Sequence, residues 1–310
     1  MAGADVVSAL AQAAGDYLAV RRALGYKLEA DGQLLEKFVA DLDAQGIDVV
    51  TVAAAVAWAT NTTRQDNGAR RLTPIRGFAR YLQALDPAHQ VPPLGILPTR
   101  RTRPVPHLYT DTEIAALMGA ARRLDPPLRA ATVETVIGLL SVTGMRVGEA
   151  LRLNTVDVDA TAGVLTVWLS KFNKSRHVPI ATSTLAALDR YQSLRRRHVP
   201  DPATNALFVN AAGTRLGYPA LLATFHHLVD LSEISTGSPT PRIHDFRHSF
   251  AVRTLLGWYR DGLDVQALLP RLSTYLGHVA PSSTYWYLSA SPELMAVAAD
   301  RLDQNREARR

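Results

Sequence analysis

Cysteine is absent from the 310 residues, which excludes disulfides, a thiol nucleophile and any Cys-ligated zinc. Long apolar runs are missing too. The most apolar window, around Val49–Thr60, is Ala-rich and too short to span a bilayer. Met1–Val7 lacks the basic start and apolar stretch of a secretory signal. Neither a low-complexity tract nor an internal repeat interrupts the chain. Together these absences predict a cytoplasmic globular protein with no membrane partner.

What is present is a chain 47% hydrophobic and 20% charged, long enough for a large core divided over about two domains. Net charge is +6 with a pI near 9.7, which favours a polyanionic partner. The excess is spread: residues 1–107 carry 12 Lys and Arg against 10 acids, and residues 108–310 carry 22 against 18. Arginines cluster locally at Arg21-Arg22, Arg70-Arg71, Arg100-Arg101 with Arg103, and Arg195-Arg196-Arg197. Each cluster alone reads as a solvated face; together they lean towards nucleic acid.

Five prolines lie between Pro92 and Pro106, interleaved with Arg100, Arg101 and Arg103. Proline fixes φ and biases its predecessor away from helix, so an extended connector is expected there. It separates a helical domain over 1–98 from a second domain over 108–310, with 99–107 as linker. In the first part, Leu34, Leu35, Phe38, Val39 and Leu42 recur at helical spacing, as do Ile75, Phe78, Ala79 and Leu82. Two further helices are expected, one around Leu10–Leu24 and one over Thr51–Thr60. The second part opens with Thr110 or Thr112 as a helix cap, and helix is expected from there through Leu140. The period then shortens: Val156–Val158, Val164–Leu169 and His177–Ile180 read as short strands, after which helices resume. The expected fold class is mainly α with one small antiparallel β-sheet, in two domains.

R-I-H-D-F-R-H-S-F, residues 242–250, sets His244, Arg247 and His248 at i, i+3 and i+4, on one helix face. Two imidazoles and a guanidinium crowd together best around an anion, and phosphate suits the two-pronged grip of arginine. H-D-x-x-H also resembles a zinc helix, but Arg247 on the same face would repel a divalent cation, so no metal is expected. In T-G-M-R-V-G-E-A-L, residues 143–151, Gly144 ends an apolar helix and Arg146 stands where the next begins. A helix N-terminus attracts anions through its free N–H groups, and Glu149 is spaced to hold the arginine.

With S-K-F-N-K-S-R-H-V-P and L-G-H-V-A-P-S-S-T-Y-W-Y following in order, the chain resembles the tyrosine recombinases, or phage-type integrases. The resemblance implies a helical core-binding domain that clamps DNA and a catalytic domain. Arg146 and Arg247 match the two catalytic arginines, His244 and His278 the two histidine positions, and Lys171 the hairpin lysine by position, with Lys174 the alternative. The nucleophile position is the ninth residue after His278, which is Tyr287. If 284–288 is helical, Tyr285 points about 200° away from Tyr287 and packs elsewhere. His248 and Glu149 would support this set from behind. Arg70, Arg71 and Arg76, with Arg64 and Arg80, are candidate phosphate contacts, and Arg100, Arg101 and Arg103 extend them along the linker.

The implied reaction is cleavage and rejoining of DNA through a 3′-phosphotyrosyl bond, without nucleotide or other cofactor. The run from Leu276 to Leu294 looks closest to recombinases of mobile elements, so transposition or integration is the expected role. The implied partner is double-stranded DNA, on which four protomers, homo- or heterotypic, assemble; a monomer is the alternative in its absence. Two rival activities are a catalytically silent DNA-binding paralogue and a type IB topoisomerase.

Overall fold

The computed structural model describes residues 8–62, 68–98, 105–168, 175–232, 234 and 239–277. The chain divides into two compact units, Met1–Arg103 and Pro104–Arg310.

Within the first unit lie α1 (Ala9–Ala23), α2 (Glu29–Ala44), α3 (Val52–Thr60) and α4 (Gly68–Leu85). Ser8 caps α1 by accepting from the Ala11 amide, and Thr51 caps α3 by accepting from Ala54. Such caps satisfy N–H groups that have no partner inside the helix. The apolar stripes face one core: Leu10, Ala14 and Leu18 of α1 meet Leu35, Phe38 and Leu42 of α2, with Leu72, Ile75, Phe78 and Leu82 of α4. Trp58 closes it from α3, edge-on to Phe38 at 5.3 Å. The Pro92 end of the expected connector is bound to this unit. Arg76 Nε and Nη2 donate to the carbonyls of Pro92 and Pro93 at 2.8 and 3.1 Å, and the chain turns at Leu94–Gly95.

The second unit starts with α5 (Asp111–Arg122) and α6 (Pro127–Thr143). Thr110 is the cap of α5, in a reciprocal box with Glu113. In place of the one continuous helix expected through Leu140, the chain breaks before Pro126-Pro127, where the first proline disfavours helix at its predecessor. Next come α7 (Val147–Arg152), a 3-10 turn (Thr155–Asp157) and an antiparallel sheet in the order β1 (Val158–Asp159), β2 (Val164–Val167), β3 (Arg176–Pro179). Val156, expected in the first strand, is in the 3-10 turn and 83% exposed. Asp157 causes this by accepting from the Asn154 amide at 2.7 Å and from Trp168 Nε1 at 2.8 Å, side-chain bonds that compete with a strand ladder. In register, Val164 faces Pro179 and Val167 faces Arg176.

α8 (Thr182–His198), α9 (Tyr218–Leu231), α10 (Asp245–Arg260) and α11 (Val265–Leu276) complete the described elements. α6 is buried nearly all round, with Val133, Val136, Ile137, Leu139 and Leu140 in the main core beside Leu165, Val178, Phe208 and Phe225. α10 and α11 pack through a smaller cluster of Val252, Leu255, Leu269, Leu272 and Leu276.

Gly144 ends α6 at φ +58, and a Cβ there would fall 2.5 Å from the Phe250 ring. Gly144→Ala should therefore cost about 2 kcal/mol or more, from left-handed strain and overpacking together. The check is a lowered urea midpoint at unchanged slope; a wild-type midpoint would contradict it.

Candidate active site

Arg146 is the cap residue of α7, and its own amide and side chain are bound to the same carboxylate. The amide donates to Glu149 Oε2 at 2.9 Å and Nη1 to Oε1 at 2.8 Å. Glu149 is shared. From β3, Arg176 forks onto it, Nη1 to Oε1 at 3.1 Å and Nη2 to Oε2 at 2.8 Å. The carboxylate side chain is 1% exposed, against 29% for Arg146 and 11% for Arg176. Burial alone would raise the Glu149 pKa, but the hydrogen bonds and charge of Arg176, then the hydrogen bonds of Arg146, outweigh it and hold it at about 2.

The first turn of α10 is organised by a second buried carboxylate. Asp245 is fully buried and accepts Arg242 Nη2 at 3.0 Å and Nε at 3.1 Å, together with the His107 amide at 3.4 Å. Asp245 is thus matched to a guanidinium, which is not the posture of a metal ligand. Ser249 takes the Tyr109 amide at 2.8 Å, and Tyr109 stacks on Phe246 at 4.4 Å. The chain entering the second unit is thereby pinned to α10.

His244 stands at the cap of that helix, its ring edge-on to His248 with centroids 5.1 Å apart. His244 keeps an exposed face, yet its other side is crowded by protein. That burial, and next the charge of Arg247, lowers its pKa below the ordinary 6.5. Asp245 pulls the other way but is outweighed, being already matched to Arg242. A neutral imidazole beside two guanidiniums can accept a proton at neutral pH.

Arg247 is 2% exposed and reaches across to two helix ends, with Nη1 on the Gly144 carbonyl at 2.9 Å and Nη2 on Leu276 at 2.6 Å. The end of α11 is therefore held by three guanidiniums on consecutive carbonyls. Arg176 Nε donates to Tyr275 at 2.8 Å, Arg247 to Leu276, and Arg146 Nη2 to Gly277 at 2.9 Å. The last carbonyls of a helix have no partner inside it and carry the negative end of its dipole, so cations gather there. The residue after Gly277 in the chain is His278.

The structure brings Arg146, Glu149, His244, Arg247 and His248 together. Lys171, His278, Tyr287 and the linker residues Arg100, Arg101 and Arg103 lie outside the described residues. Tyr275 packs, stacking on Phe250 at 5.6 Å, and burial raises its phenol pKa. In the first unit, Arg70 is exposed, whereas Arg71 covers the Trp58 ring at 3.9 Å and donates Nη1 to Asn61 at 2.7 Å. Arg76, grouped with the candidate phosphate contacts from sequence, donates Nε and Nη2 to the Pro92 and Pro93 carbonyls and so staples that stretch to α4. Arg176 was not singled out from sequence. Its partner Glu149 is 27 residues away on α7, so nothing in the local sequence signalled the pair.

Residues 108–293 match the phage integrase family. This chain belongs to that family. It is 42% identical to y4rB of Sinorhizobium fredii (strain NBRC 101917 / NGR234), named as an integrase/recombinase, over 98% of this chain and 100% of y4rB. It is 32% identical to the tyrosine recombinase XerD of Mycobacterium leprae (strain TN), over 71% of this chain and 68% of XerD. Among solved structures, the Tn1549 transposon integrase in complex with transposon right end DNA superposes with a TM-score of 0.65 at 17% identity. The match covers 94% of this chain and 98% of that one. A lambda integrase tetramer bound to a Holliday junction gives 0.60 at 16% identity, covering 91% and 78%. The mainly helical fold with a small antiparallel sheet is thus that of known tyrosine recombinases.

Glu149 makes a sharp acid prediction. Its folded pKa lies below its ordinary 4.5, so its stabilisation is complete above that value and is lost as pH falls towards about 2. The loss amounts to ~3 kcal/mol. Chemical unfolding across this range should show a steeper fall for wild type than for Glu149→Gln, which cannot titrate. Parallel curves would contradict it.

Proposed function

We propose that this chain is a site-specific DNA recombinase that cuts and rejoins strands through a 3′-phosphotyrosyl bond, serving a mobile element. One observation carries the reading: Arg146 and Arg247, far apart in the chain, meet at the end of the helix that precedes the His278–Tyr287 stretch. Both keep a fixed orientation without DNA, as a grip for a phosphate requires.

In this mechanism the Tyr287 phenol oxygen attacks the scissile phosphorus and the bond to the 5′ oxygen breaks. His244, neutral because its pKa is lowered, takes the phenolic proton. Lys171 gives a proton to the departing 5′ oxygen, and His278 donates a hydrogen bond to the phosphate. Arg146 and Arg247 meet the charge that grows on the nonbridging oxygens; losing one such donor costs about 10²–10³ in rate. The new ester retains the energy of the broken one, so a 5′ hydroxyl reverses the steps without a nucleotide.

The partner on this reading is double-stranded DNA, bound by the 1–98 core-binding domain and by the 108–310 catalytic domain, with four protomers per exchange. The solved relatives bound to transposon ends and to a Holliday junction support it. Arg70 and Arg71, beside Lys37 and Trp58 in an open pocket of the first unit, are its backbone contacts there. No described helix is long and apolar enough to cross a membrane, and action on DNA would place the protein in the cytoplasm.

Nicked duplexes carrying candidate ends should yield protein–DNA adducts that resist denaturation and persist in EDTA. Tyr287→Phe should abolish them and Tyr285→Phe should not. Binding without adducts would point to a silent paralogue, and relaxation of supercoils with no preference for site to a topoisomerase. A second expectation concerns pH. With the His244 pKa lowered below 6.5, single-turnover cleavage should fall on acidification with a midpoint below 6.5. A midpoint above 6.5 would remove His244 as the base.

A further inference from the structure

Arg176 has no part in the steps above, yet its side chain is committed to three elements at once. Its backbone is fixed in the sheet opposite Val167, five residues after Lys171 in the chain. Two of its nitrogens fork onto Glu149 in α7, and the third reaches Tyr275 in the last turn of α11. At 11% exposure the guanidinium is largely desolvated. Only a planar fork can meet a carboxylate bidentately and still spare Nε for a carbonyl; a lysine ammonium cannot span both.

From this we infer that Arg176 is a positioning residue. It struts the last turn of α11 against the Arg146–Glu149 pair and so fixes where the chain leaves that helix at Gly277, one residue before His278. The inference rests on the strand-transfer reading. Without the fork, Glu149 is left buried with Arg146 alone and draws that guanidinium inward, while the end of α11 loses its tie to the sheet. Misplacement by ~1 Å can slow a reaction about 10²-fold. A side chain so little exposed offers DNA almost no surface, so the loss belongs to chemistry and not to affinity.

The test compares wild type, Arg176→Lys, Arg176→Gln, Glu149→Gln and the Glu149→Gln/Arg176→Gln double variant. The substrates are nicked duplexes tiled across the DNA flanking the coding sequence, plus a randomised pool, with single-turnover cleavage and duplex affinity read in parallel. Arg176→Gln should cleave about 10²-fold more slowly at unchanged affinity. Arg176→Lys should recover only part of the rate. The double variant should be no slower than Arg176→Gln, because the two residues act through one another. Wild-type rates in Arg176→Gln, or matched losses of rate and affinity, would overturn the positioning role alone. Should Arg176→Gln fail to fold, Arg176→Lys carries the same comparison, and a wild-type rate there overturns the role. Absence of any adduct from wild-type protein overturns both this role and the reading beneath it.

Discussion

The second unit depends on how the carboxyl end of α11 is held. Three guanidiniums from residues 146, 176 and 247 occupy the carbonyls of 277, 275 and 276. Hydrogen bonds from a charged donor are worth about 1.5–3 kcal/mol each, but three like charges at one helix end repel. Glu149 makes the cluster tolerable. Buried and ionised, it neutralises Arg146 and Arg176 together, while Arg247 is left facing two helix ends whose dipoles favour it. The carboxylate and the carbonyls divide the cations so that none is buried without compensation.

This division bears on the proposed chemistry. An arginine aimed by solvent would have to be ordered at the moment of reaction, and the ordering would subtract from the rate. Arg146 and Arg247 are ordered beforehand by main-chain and carboxylate acceptors, so the cost falls on folding. Arg146 retains 29% exposure, which leaves it room to meet a phosphate, while Arg176, at 11%, stays behind it. Burial, and after it the charge of Arg247, lowers the His244 pKa against the pull of the already matched Asp245.

Elements whose reason is local were legible in the sequence. The stripes of α2 and α4, the Thr110 cap and the sheet between 158 and 179 follow from periodicity and turn chemistry. Misreadings arose where a side chain competed with the backbone or was claimed from far away. Asp157 turned Val156 out of its strand, and the Pro126-Pro127 pair divided a helix that apolar content alone would have continued. The structural role of Arg76 was hidden for a different reason: its acceptors, the Pro92 and Pro93 carbonyls, are main-chain groups that leave no mark in the sequence. Arg176 was missed for a related reason. Its partners lie 27 and 99 residues away, and no short motif contains them.

Two glycines show how the cluster closes. Gly144 ends α6 and Gly277 ends α11, each in the left-handed region, and each passes its carbonyl to an arginine anchored on a different helix. Arg247 of α10 takes the first and Arg146 of α7 takes the second. Neither site has space for a Cβ: at 144 it would meet the Phe250 ring, and at 277 it would come within 2.9 Å of the Arg176 guanidinium. A left-handed cap exposes a carbonyl sideways where a continuing helix would have consumed it. The T-G-M-R and L-G-H stretches are therefore one device used twice, a helix stopped by glycine so that its last acceptors face cations supplied by distant segments. The two stops are coupled through Arg247, which spends one nitrogen on the Gly144 carbonyl and another on that of Leu276, so a shift of either helix end is felt at the other.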